Sequence, residues 1–275
     1  MKDYKLLDSG NGRRLEQFGK YIVDRPDPEV MWEKTLPQVK WDSADAKFYN
    51  NWNSRIDLSK PWQVKYDGLT INLKLTPFKH IGIFPEQEFE WEIIKNQLKT
   101  VNGKKVLSLF GYTGVASLVA LQNNAEVTHV DASRPAISWF RENQKSSNLL
   151  NKPCRIIIDD CLKFAEKEFN RGKKYDGIIM DPPSYGHGPK GEVWNFSKDF
   201  AKLVAVSVKL LTDNPLFLII NAYSVSVSPT TIANLIREKL ADKKGEVLSG
   251  ELSLKEESSG KILTTGIYTI WRKLD

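Results

Sequence analysis

From about residue 85 the chain alternates helix-like and strand-like segments, and no other feature limits its possible architectures as strongly. Residues 86–100 carry the spacing of an amphipathic helix, and strand-like runs follow at 105–110, 126–131, 155–159, 175–181 and 216–221. Helical patterns lie between them, at 135–147 and 193–211 for example, and Ser228-Pro229 offers a side-chain cap followed by a proline already set to helical φ. Such alternation builds a parallel sheet covered on both faces. The end breaks the rhythm: runs at 246–254 and 264–273 are joined by Glu-Glu-Ser-Ser-Gly with no helix between. Parallel neighbours need a long crossover, so this pair is expected as an antiparallel hairpin. The expected fold is therefore α/β, a doubly wound Rossmann-like sheet ending in an antiparallel hairpin.

The first 75 residues read differently, with prolines, tryptophans (Trp41, Trp52, Trp62) and little helical periodicity. Within 61–75, Asp67-Gly68 is a favoured two-residue turn and apolar residues alternate on the second arm, which predicts a hairpin. The expectation is a small β-rich segment over 1–75, with a part in substrate recognition, and a larger domain over 76–275. The tryptophans read as core, with a closed small-molecule pocket as the alternative. No apolar run approaches the ~18–20 residues of a membrane span, and the start of the chain lacks a signal peptide's apolar stretch. Two cysteines do not make a disulfide framework, so a cytoplasmic setting is expected. The net charge of +6 tilts toward an anionic partner such as nucleic acid, although acids are interspersed with the bases.

In open α/β sheets the ligand sits beyond the carboxyl ends of the strands, where strand order reverses. After the first strand stands Phe110-Gly111-Tyr112-Thr113-Gly114, whose glycines let the backbone turn tightly at a helix start. The G-x-G-x-x-G of nicotinamide folds is absent. Asp131, followed by Ala132, ends the second strand about 20 residues past Gly111, where a carboxylate can accept hydrogen bonds from ribose hydroxyls. Asp159-Asp160-Cys161 ends the third, where a carboxylate can receive an adenine amine. Each acid alone could cap a helix; their recurrence at successive strand ends points to an adenosyl cofactor, S-adenosyl-L-methionine.

The fourth strand ends in Asp181-Pro182-Pro183-Ser184-Tyr185. Proline has no N–H, so this turn presents acceptors without donors. The Pro182 carbonyl and the Asp181 carboxylate can hold a planar N–H group and aim its nitrogen lone pair at an incoming methyl, with no metal needed. Tyr185 is suited to stack on a base swung out of its strand. The following 186–191, with three glycines, is expected as a mobile loop with Lys190 near a phosphate.

At these motifs the chain resembles the bacterial large-subunit rRNA methyltransferases that modify cytosine at carbon 5. The matching stretches are 78–87 (FKHIGIFPEQ), 106–114 (VLSLFGYTG), 130–133 (VDAS), Asp159-Asp160 and 175–183 (YDGIIMDPP), across about 200 residues from Thr76 onward. The resemblance implies the class I methyltransferase fold, S-adenosyl-L-methionine as cofactor, an RNA substrate, and positions for Phe84 and Gln87 near the methionine end of the cofactor. There are two departures. The family's N-terminal PUA domain has no counterpart of sufficient length. Its catalytic cysteine after the fifth strand is replaced within Asn221-Ala-Tyr-Ser224, with Tyr223 at that place. Carbon 5 chemistry needs a thiolate to add to the ring. Cys154 and Cys161 read as small packed side chains, so nitrogen chemistry on a ribosomal RNA base is the leading expectation. Methylation of a small molecule or protein on the same fold is the alternative, and a non-catalytic cofactor-binding RNA-interaction protein is the second.

Overall fold

The computed structural model describes residues 1–57 and 59–274. By compactness the chain divides into Met1–Glu88 with Leu252–Thr265, and Phe89–Glu251 with the chain from Gly266 onward. The composition change near residue 75 thus falls inside the first unit, which also takes in a short stretch from near the C-terminus.

The first unit is β-rich. Strands β1 (Tyr4–Gly10), β2 (Arg13–Phe18) and β3 (Tyr21–Pro26) form an antiparallel meander. After the short helix α1 (Gln38–Asp42), β4 (Ala46–Phe48) joins β3 in parallel, and β5 (Trp52–Ser54) closes the five-stranded sheet. Strands β6 (Gln63–Tyr66) and β7 (Leu69–Asn72) are the expected hairpin. Asp67 and Gly68 take φ of 43° and 83°, the left-handed pair that matches strand twist in a two-residue turn. The tryptophans build this unit. Trp41 is buried with its indole N–H on Asp8 Oδ2 at 2.9 Å, and Trp62 is buried with its own on the Phe18 carbonyl at 3.0 Å.

After a single 3-10 turn at Pro85–Gln87 in the first unit, α2 (Glu88–Leu98) leads into the second. Then come β8 (Lys105–Leu109), α3 (Val115–Gln122), β9 (Glu126–Asp131), α4 (Arg134–Ser146), β10 (Cys154–Ile158), α5 (Cys161–Asn170) and β11 (Gly177–Met180). The chain continues through β12 (Tyr185–His187), β13 (Val193–Asn195), α6 (Phe196–Leu210), β14 (Phe217–Ala222), α7 (Pro229–Lys239), β15 (Gly245–Lys255) and β16 (Ile262–Lys273). The seven-stranded sheet runs β10-β9-β8-β11-β14-β16-β15. Its first five strands are parallel and β16 is antiparallel to β14. Every residue of β11 and β14 is buried, because helices cover both faces of the central strands; these strands therefore read as continuous apolar runs. Strand order reverses between β8 and β11.

One expectation fails. The helix foreseen over 193–211 begins only at Phe196, because Val193 to Asn195 pair with Tyr185 to His187 instead. Gly186 pairs with Trp194, whose indole is buried and donates to the Pro183 carbonyl at 2.6 Å, and a Cβ at Gly186 would stand 3.5 Å from Pro183 Cγ. The segment foreseen as a mobile loop is thereby the turn of a hairpin. It is closed by Gly188 N–H on the Glu192 carbonyl at 2.9 Å and Lys190 N–H on Glu192 Oε2 at 2.8 Å.

Candidate active site

The carboxyl ends of β8, β9, β10, β11 and β14 bring the site segments to one edge of the sheet. Three residues of the loop after β8 take left-handed φ: Phe110 at 54°, Tyr112 at 49° and Gly114 at 82°. Only glycine adopts this region without penalty; a side chain there costs on the order of 1–3 kcal/mol, so the surroundings must enforce it. They do so from three sides. Tyr112 N–H donates to Asp131 Oδ2 at 2.8 Å, Phe110 N–H to Cys161 Sγ at 3.1 Å, and Asn143 Nδ2 to the Thr113 carbonyl at 2.9 Å.

The glycines work by close approach. A Cβ at Gly111 would stand 2.3 Å from His129 Cε1, and one at Gly114 would stand 2.1 Å from Phe140 Cδ2. The His129 and Phe140 rings stack at 3.9 Å and 15°, and Ser117 Oγ lies 2.9 Å from His129 Nδ1. The space cleared by these glycines is thus filled by a fully buried His129–Phe140 stack beneath the loop. Burial holds His129 neutral, with its pKa pushed down to about 3. Sequence reading put His129 in the core but missed that it supports the loop. No local signal carries that contact, which joins β9 to the loop after β8.

Asp131 is half-buried; its Oδ2 accepts from Tyr112 N–H and its Oδ1 from Ser133 N–H, both at 2.8 Å, and the Ala132 N–H also favours its charged form. Burial raises its pKa above the ordinary carboxylate value, opposed by these backbone donors. Ala132 is half-buried beside it. Asp160 caps α5, its Oδ1 accepting from Lys163 N–H at 2.9 Å, while Asp159 pairs with Lys167 at 2.6 Å. Cys161 is buried under the Phe110 loop. Helices α4 and α5 are capped by the Ser133 and Asp160 side chains, whereas α3 has no side-chain cap at Gly114. Its first N–H groups are therefore donors for an anionic group.

At the end of β11, Asp181 N–H donates to the Leu109 carbonyl at 3.3 Å, tying the Asp-Pro-Pro turn to β8. Pro182 is buried, Pro183 exposed, and Tyr185 54% exposed. Trp194 links the two halves of the site: it bonds the Pro183 carbonyl and lies 5.0 Å from the Phe110 ring. At the end of β14, Tyr223 packs over Gly266, where a Cβ would meet its ring at 2.7 Å. Below it, buried Asn221 donates from Nδ2 to Glu90 Oε2 at 2.8 Å, a pair that sequence reading did not foresee. Phe84 and Gln87 belong to the first unit. Phe84 is half-buried, and the buried Gln87 donates its N–H to the Phe84 carbonyl at 3.1 Å. No group of acids, histidines and cysteines among the described residues could hold a metal ion.

This arrangement matches a solved structure almost throughout. The SAM-dependent methyltransferase of Agrobacterium tumefaciens is 39% identical, with a TM-score of 0.95, over 99% of this chain and 91% of that one. The chain belongs to the S-adenosylmethionine-dependent methyltransferases. The methyltransferase shares its fold with SMU.776, solved in complex with SAH, at 19% identity and a TM-score of 0.75 over 98% of this chain and 75% of that one. Residues 86–219 match the family described as conserved hypothetical protein 95. Among curated proteins it is similar to ribosomal RNA large subunit methyltransferase K/L of Pseudoalteromonas atlantica, 32% identical over 192 residues. The same-named protein of Shewanella frigidimarina is 32% identical over 149 residues. These alignments take in 69% and 54% of this chain but only 25% and 20% of those proteins. No helix among the described residues is long and apolar enough to cross a membrane.

Proposed function

We propose that this methyltransferase methylates a nitrogen of a base in ribosomal RNA. The observation that carries the reading is the Asp181-Pro182-Pro183 turn at the reversal of strand order, fixed by Trp194. The indole bonds the Pro183 carbonyl, and the acceptors this reading assigns to an N–H group are the Pro182 carbonyl and the Asp181 carboxylate. Held by its hydrogens, an amine or ring nitrogen presents its lone pair, and Asp181 receives the hydrogen bond of the proton to be lost. Tyr185 covers the base. The named relatives support RNA as the acceptor.

The residues present fit S-adenosylmethionine. The backbone of Phe110, Gly111, Tyr112, Thr113 and Gly114 with the uncapped start of α3, Asp131 with Ala132, and Asp160 with Cys161 would hold it. When bound it supplies a methyl on a sulfonium, already strongly electrophilic. Carbon 5 chemistry fits poorly, because it needs a thiolate. Tyr223 stands where the resemblance places the cysteine. Cys154 opens β10, at the opposite edge of the sheet, and burial pushes its thiol up to about 11. Burial, with Asp131 next, holds Cys161 well above the usual thiol range.

The test is transfer of radiolabelled methyl from S-adenosylmethionine into total RNA from cells lacking this protein, with protein and metabolite extracts as rival acceptors. Label in one large RNA, at a nitrogen on nucleoside analysis, is expected. Asp181→Ala should lose roughly a hundredfold in rate with cofactor affinity kept. Label confined to protein or metabolites would overturn the RNA reading, and no label with cofactor bound would indicate a binding protein.

A further inference from the structure

The hairpin that replaced the expected loop has two unlike faces. Residues two apart on a strand share a face, as do directly paired residues across it. The register Tyr185↔Asn195, Gly186↔Trp194 and His187↔Val193 therefore puts Gly186 and Trp194 on one side and Tyr185, His187 and Val193 on the other. Trp194 is 3% exposed and Val193 57%, and His187 is exposed. A hairpin normally turns its apolar face inward. This one buries a tryptophan and also leaves an aromatic pair and a valine in water. Tyr185 and His187 stand 5.3 Å apart, ring edge toward ring face at 88°.

We propose that this outer face is a binding surface for the nucleotide flanking the target base, with His187 and Val193 as its specific contacts. The proposal rests on the RNA reading above and extends it from one base to two. Rigidity is the first support. The Trp194 indole ties the hairpin to the Pro183 carbonyl at 2.6 Å, and Asn195 N–H bonds Asp199 Oδ2 at the start of α6 at 3.0 Å. The platform thus stands at a fixed offset from Asp181, and the His187 ring, 5.3 Å from that of Tyr185 and perpendicular to it, lies next to the ring assigned to the target base. Charge is the second support. Glu192, the one acid within 185–195, is turned away to Lys163 Nζ at 3.1 Å and to the Lys190 N–H. The tip of the hairpin then presents the exposed Lys190 ammonium, which suits the phosphodiester between two nucleotides. Exposed aromatic rings beside a cation are the chemistry by which single-stranded nucleic acid is held.

The experiment compares initial rates on total RNA from cells lacking the protein for the unmodified enzyme and for His187→Ala, His187→Phe, Val193→Ser and Lys190→Ala. Cofactor affinity is measured on each by calorimetry. His187→Ala should raise the half-saturating RNA concentration about fivefold or more, and His187→Phe should restore it, because stacking needs a ring and not a proton. Val193→Ser should raise it less. Lys190→Ala should reduce the slope of log affinity against log salt by about 0.7. Cofactor affinity and saturated rate should stay unchanged. If the unmodified enzyme labels RNA and all variants saturate at its RNA concentration, the platform is refuted while the RNA reading stands. If the unmodified enzyme labels only protein or metabolites, both fall.

Discussion

Gly111→Ala is the sharpest test of how the loop after β8 is held. Gly111 is absent from the positive-φ positions, so the backbone would accept alanine, and the cost arises from contact alone. The new Cβ would lie 2.3, 2.5 and 2.9 Å from three atoms of the His129 ring. That ring is fully buried, stacked on Phe140 and bonded to Ser117, so it has nowhere to turn. Forcing a methyl into such packing costs about 1–3 kcal/mol. For a chain of this size that lowers the midpoint of thermal unfolding by roughly 2–12 °C. Relief by lifting the loop would stretch the Tyr112 N–H bond to Asp131. A displacement near 1 Å there should slow methyl transfer on the order of tenfold to a hundredfold. The assay is a double-mutant cycle with His129→Ala, following unfolding temperature and calorimetric cofactor affinity. His129→Ala leaves a cavity and is destabilising alone, but in its background Gly111→Ala should cost much less, a coupling of about 1 kcal/mol or more. Strict additivity of the two substitutions, or a Gly111→Ala protein that unfolds and binds cofactor as the parent does, would refute the reasoning.

The remaining predictions concern groups buried near the site. Cys154→Ser combined with Cys161→Ser should keep methyl transfer, since neither thiol is ionised at neutral pH and a serine oxygen still accepts the Phe110 N–H; loss of transfer with cofactor still bound would reopen carbon 5 chemistry. His129 gives a signed pH dependence. The unfolded imidazole takes up a proton below about pH 6.5, whereas the folded one stays neutral down to about 3. Its stabilising contribution is therefore complete above pH 6.5 and is lost as pH falls, amounting to about 2 kcal/mol at pH 5. Urea unfolding at pH 7 and pH 5 should show a steeper loss for the parent than for His129→Gln, and parallel losses would contradict the assignment.

The loop after β8, Asp131 and the His129–Phe140 stack are tied together by the Tyr112 N–H bond and the close approach at Gly111 and Gly114. Asp131 receives the Tyr112 N–H that fixes the left-handed turn and the Ser133 N–H at the start of α4. The acceptor side is held differently, through a single indole that joins Pro183 to the hairpin. Under the proposed function, substitutions at Trp194 act on substrate geometry, whereas those at Gly111 act first on the cofactor.

The sequence by itself determined the order of elements. Alternating apolar runs and amphipathic segments specify a covered parallel sheet, and the absence of a helix between the last two runs specifies the terminal hairpin, because both are local consequences of side-chain period and connection length. It also marked the strand ends at Phe110, Asp131, Asp160 and Asp181, since the fold requires any ligand to sit there. Only tertiary structure decided what those residues touch. Whether glycine at 111 clears space for a ligand or for a histidine depends on His129, which lies 18 residues further along the chain. Whether Val193 and Trp194 begin a helix or pair as a strand depends on Gly186 across from them and on the carbonyl that receives the indole. Local propensity favours both states of that segment nearly equally, and the long-range contact settles it.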